Sequence, residues 1–146
     1  MKKFSYKFES IKKVKLAFEK KTQKEVAEIE LNIKAVIEER QKLVNEKNEE
    51  KKRTMTKSSL RASEVQFLNN YEKFMNEKIQ TCDKKIETYK KDLAVKLEEL
   101  KKKSMEYKVF ETLEEKHLDI FRLEQNKIEQ KEFDEIASIK TSKGKD

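Results

Sequence analysis

Proline and tryptophan are missing from this sequence, and glycine and cysteine occur once each. Tight turns draw on glycine and proline, so a chain this poor in both cannot fold as a many-turned globule or a strand-rich sandwich. The one glycine, Gly144, is third from the end, so no glycine-rich phosphate-binding loop can be built. A single cysteine, Cys82, excludes an intramolecular disulfide and fits a reducing compartment. The single histidine, His117, has no second histidine or cysteine at ligand spacing, so neither a metal site nor a general base is expected. Long apolar runs are also lacking. Nothing approaches the roughly 18 residues of a membrane-spanning helix, and the basic Met1-Lys2-Lys3 is not followed by the apolar stretch of a signal peptide. The expectation is a soluble or at most peripheral, cytoplasmic, non-enzymatic protein without cofactor or metal.

Charge is abundant. Asp, Glu, Lys and Arg make up 45% of the 146 residues, against 35% hydrophobic. That balance is too polar for a compact core but suffices for narrow seams between long helices. The commonest residues, Lys, Glu and Leu, are good helix formers, which argues against disorder. The net charge of +7 is localised: residues 1–24 hold nine lysines against Glu9 and Glu19. Such an end can meet an acidic protein, a lipid headgroup or nucleic acid.

Apolar spacing predicts two helices. In the first, about residues 5–53, the stripe runs Phe4, Phe8, Ile11, Phe18, Val26, Ile29, Ile33, Val36, Leu43, mostly in steps of three, four or seven. Thr22 fills the gap after Phe18, and the polar run Glu46–Arg53 is expected to pack weakly. A break follows at about 54–62, where Thr54, Thr56, Ser58 and Ser59 compete with the helical backbone. Ser63-Glu64-Val65-Gln66 reads as a capping box opening the second helix, about residues 63–139. Its stripe is Val65, Leu68, Met75, Ile79, Cys82, Ile86, Tyr89, Leu93, Leu97, Leu100, Tyr107, Phe110, Leu113. A tail at 140–146 is expected to fray. The fold class predicted is all-α: an antiparallel coiled-coil hairpin in one domain.

The helices are unequal. A turn centred near residue 58 puts Phe4 beside Phe110–Leu113, leaving about 40 Å of helix from Leu113 to Ile139 without an internal partner. That overhang carries Leu118, Ile120, Phe121, Leu123, Ile128, Phe133, Ile136 and Ile139, which suggests an anchor completed inside another protein. Cys82 is expected in the seam, and His117 on the helix surface.

Short segments, in order along the chain, suggest a family. Phe4-x-Tyr6-Lys7-Phe8-Glu9-Ser10-Ile11, Glu25-Val26-Ala27-Glu28, Phe110-Glu111-Thr112-Leu113 and the closing Glu129-Gln130-Lys131-Glu132-Phe133-Asp134-Glu135-Ile136-Ala137 resemble the FliJ family of the bacterial flagellar type III export apparatus. The resemblance implies a stalk that enters the pore of the export ATPase hexamer and couples it to the membrane export gate. It also implies contacts with the ATPase regulator and export chaperones, and a place at the cytoplasmic face of the cell membrane. Carried onto this chain, the ATPase-binding residues would be Leu118, Phe121, Ile128, Gln130, Phe133, Asp134 and Glu135. The export-gate residues would be Tyr71 and Met75. Two rival readings are a stalk for a virulence-type secretion ATPase and a basic coiled coil that binds nucleic acid. Nucleic acid is not the expected partner, because Phe4, Phe8 and Phe18 lie on the seam and Arg40 is the one arginine before residue 53.

Overall fold

The computed structural model describes residues 2–144, and among these every regular element is helical. Helix α1 spans Glu9–Met55 and α2 spans Ala62–Lys143. Both contribute to two compact units. One comprises residues 20–101, and the other comprises residues 1–19 with 102–146. Within each, α1 packs antiparallel against α2.

In the 20–101 unit the α1 seam is Thr22, Val26, Ile29, Ile33, Val36, Arg40, Leu43, Lys47, Glu50 and Thr54, each buried or half-buried. The steps alternate four and three without interruption, the signature of knobs-into-holes packing. Opposite lie Leu68, Met75, Ile79 and Cys82, all buried. Thr22 is 4% exposed, so it does occupy the gap in the apolar stripe, and Cys82 is a free thiol in the core.

Two sequence expectations fail here. Leu97 is 46% exposed, and the seam passes instead through its neighbour Lys96, whose ammonium binds both Glu25 and Glu99. Hydropathy favours the leucine, but the strict heptad from Cys82 through Tyr89 arrives at residue 96. Val65 is likewise exposed, because Leu68 opens the seam on α2.

The register also differs from that predicted. Residue numbers of cross-helix ion pairs sum to 121 for Glu25 with Lys96, and to 123 for Arg40 with Asp83 and Lys51 with Glu72. That places α2 about one heptad further along than a turn centred at residue 58. A one-heptad slip restores the same face, so spacing alone does not distinguish the two registers.

The connection is shorter than predicted. Thr54 is buried and helical. Helix α1 ends where the Thr56 hydroxyl donates to the Arg53 carbonyl at 3.0 Å, a side-chain bond that competes with continued helix. The capping box is not what opens α2. The amides of Glu64 and Val65 donate to the Arg61 carbonyl at 3.0 and 3.2 Å, so Ser63 already lies in the first turn. The polar run before the turn is tied across the pair, with Lys47 donating to Asn76 at 3.1 Å and Lys51 3.7 Å from Glu72. At the other end of α2, helix continues to Lys143, and the Gly144 amide donates to the Lys140 carbonyl at 2.9 Å.

Candidate docking surfaces

The unit built from residues 1–19 and 102–146 is assembled differently. Helix α1 begins at Glu9, not near Ser5, and its first amide donates to the Tyr6 carbonyl at 3.2 Å. The preceding residues form a strap along α2. The buried Tyr6 hydroxyl donates to the Phe110 carbonyl at 2.7 Å, and burial raises its pKa above the ordinary phenol value. The rings of Tyr6 and Phe8 meet His117 at 5.7 and 6.1 Å, and Phe8 meets Phe110 at 6.2 Å. His117 is therefore half-buried in an aromatic cluster rather than on an open helix surface. Phe4 packs on Phe121 at 5.6 Å, well past the Phe110–Leu113 turn predicted for it.

Ion pairs fill the remaining seam. Lys12 binds Glu114, and that hydrogen bond raises the lysine pKa. Lys15 binds Glu106 at 3.1 Å and lowers the carboxyl pKa. Ser104 donates to Glu19 at 3.1 Å. Phe18, predicted for the seam, is 45% exposed on its flank with the Lys103 ammonium 5.3 Å from its ring centroid.

Because the strap reaches Phe121, the unpartnered part of α2 starts later than Leu113. Lys2 lines a shallow groove with Phe121, Arg122, Gln125, Asn126 and Glu129. Residues 126–144 are all exposed, and the helical part of that stretch measures about 27 Å. Leu118 and Phe121 are half-buried within the chain. Ile128, Phe133, Ile136 and Ile139 are open to solvent, Phe133 at 70%. Gln130, Asp134 and Glu135 are exposed beside them.

The second candidate surface, in the 20–101 unit, needs a correction. Met75 is 3% exposed, so it belongs to the core and cannot touch a partner without unpacking the helices. Tyr71 is half-buried and stacks on Phe67, with centroids 6.4 Å apart and planes 14° from parallel. Phe67 and Phe74 are exposed, and the Lys78 ammonium sits 4.6 Å from the Phe74 ring centroid. Residues 67, 71, 74 and 78 share one helix face. Sequence reading missed Phe67 and Phe74. Their seven-residue separation, offset from the Leu68–Met75 seam by one position, is the signal that identifies them.

The profile of the family described as "Flagellar FliJ protein" matches residues 4–145. The chain belongs to this family. The FliJ family serves flagellar protein export, and an export-related role is what family membership gives this chain. No curated protein and no solved structure matches it. Among the described residues of this FliJ-family chain, no helix is long and apolar enough to cross a membrane. Nor do any three His, Cys, Asp or Glu residues among them gather as a metal site.

Proposed function

We propose that the chain is a stalk joining the export ATPase ring to the membrane export gate at the cytoplasmic face of the membrane. The observation that carries this reading is the exposed end of α2. A helix presenting Ile128, Phe133, Ile136 and Ile139 to solvent forgoes about 1.5–3 kcal/mol for each side chain that a partner would bury. A ring pore supplies walls on all sides of such a helix. Asp134, Glu135 and the lysines of residues 1–24 add charge contacts, and the role needs no reacting group on the stalk. On the gate side, the face of Phe67, Tyr71 and Phe74 takes the place of the buried Met75. The ATPase regulator and export chaperones are further partners.

The test is affinity for the purified export ATPase. Phe133→Asp with Ile136→Asp is expected to weaken binding at least about tenfold, with helicity by circular dichroism unchanged because both sites are exposed. Wild-type affinity is expected to fall with added salt, as exposed charges are screened. Undiminished binding by the double variant would remove the ring-anchor reading.

A further inference from the structure

A third apolar surface lies in the unit of residues 1–19 and 102–146, distinct from the exposed end of α2. On α1, Ile11, Val14 and Phe18 each directly precede a seam residue: Lys12, Lys15 and Glu19. On α2, Val109 precedes Phe110, Leu113 precedes Glu114 and Ile120 precedes Phe121. Met105 is one turn before Val109. One residue is 100° of helix rotation, so each set forms a stripe on the flank of its helix. In an antiparallel pair the flank preceding the seam on one helix adjoins the same flank on the other. Both stripes therefore border a single side of the pair.

Ile11, Val14, Met105, Val109 and Ile120 are each at least 44% exposed. A shallow trough of about 460 Å³ runs along the α2 stripe, lined by Met105, Lys108, Val109, Thr112, Leu113 and Lys116. No acidic residue lines it. Neither Lys108 nor Lys116 makes an ion pair among the described residues, whereas Lys12 and Lys15 in the seam both do.

We propose that this face docks an amphipathic helix of another protein whose apolar stripe is flanked by Asp or Glu. The choice of occupant follows from charge: an apolar floor edged by unpaired ammonium groups matches a helix with carboxylates on its shoulders. Met105 to Ile120 spans about 22 Å, four turns of a guest helix. A third helix lying along an existing pair reuses knobs-into-holes packing and needs no rearrangement of the seam.

The experiment measures fluorescence anisotropy of the full chain with two synthetic helical peptides. Both carry leucines at alternating spacings of three and four, one flanked by Glu and the other by Lys. The Glu-flanked peptide is expected to bind at least about tenfold tighter than the Lys-flanked one. Val109→Glu is expected to abolish that binding. Lys108→Glu with Lys116→Glu is expected to reverse the preference, a result that local unfolding cannot produce. Equal binding of the two peptides, or binding indifferent to both variants, overturns the proposal. So does a wild-type dimer that Val109→Glu dissociates in sedimentation, which assigns the face to a second copy. Uptake of the chain by phosphatidylglycerol vesicles that Val109→Glu abolishes assigns it to lipid and likewise overturns the proposal. None of these results bears on the ring anchor, whose variants are at Phe133 and Ile136.

Discussion

The same two helices pair in both units, yet what they bury differs. In the 20–101 unit the buried hydrophobic side chains are aliphatic and thiol, Val26, Val36, Leu68, Met75, Ile79 and Cys82, with ion pairs such as Lys96–Glu25 and Arg40–Asp83 beside them. In the unit of the chain ends, Tyr6 is the one buried hydrophobic residue among those described. Around it are edge-on aromatic rings, a phenol-to-carbonyl bond and lysine–carboxylate pairs. Aliphatic burial is non-directional and scales with the apolar area removed from water. Hydrogen bonds and half-exposed ion pairs contribute less net stability and exchange more readily with water. The comparison teaches that one pair of helices can be held by an aliphatic core in one stretch and by an aromatic cluster in another. The stretch with the aromatic cluster is the one that carries two of the three apolar surfaces without an internal partner.

The largest effect expected is in the aliphatic unit. Met75→Ala removes a side chain that is 3% exposed and should cost about 2–5 kcal/mol in urea unfolding. A loss that small surface substitutions match would erase the contrast between the units.

A smaller and local effect is expected at the strap. Tyr6→Phe removes the hydroxyl that donates to the Phe110 carbonyl, so amide exchange should quicken around residues 6–12 while residues 68–82 keep their protection. Equal quickening in both units would show that they open together.

The smallest effect separates charge from burial. Lys15 and Lys96 hold the Glu106 and Glu25 carboxyls below their ordinary pKa. Each depressed carboxyl stabilises the fold above its unfolded pKa, and that contribution disappears as pH falls from the unfolded value through the lower folded one. Glu25→Gln with Glu106→Gln should therefore flatten the acid limb of a thermal-midpoint profile and leave the neutral plateau nearly level. An acid limb as steep as that of the wild type would assign acid sensitivity to other groups.

The hairpin was legible because apolar spacing of three and four survives even in a chain this charged, and Thr22 could be placed in the seam by position alone. What escaped was whatever a heptad cannot encode. The register is degenerate to a seven-residue slip, so Phe4 was matched to Phe110–Leu113 and not to Phe121. Hydropathy put Leu97 in the seam, where an ion-paired Lys96 in fact lies. Spacing did place Met75 in the seam, where it is buried; only the gate role implied by the family resemblance put it on a surface. Apolar steps of three and four extend the predicted helix back to about residue 5, into the strap. Its real conformation depends on Tyr6 finding a carbonyl 104 residues away, which no local pattern announces.

The strap has a practical bearing on how the protein is handled. Lys2 lies against Phe121, Arg122 and Gln125, so a purification tag or fluorophore fused ahead of it is delivered onto the flank of α2 at the root of its exposed end. Met55 and Ser59, beside the helix turn, are exposed positions in the unit of residues 20–101 where a label can be attached instead.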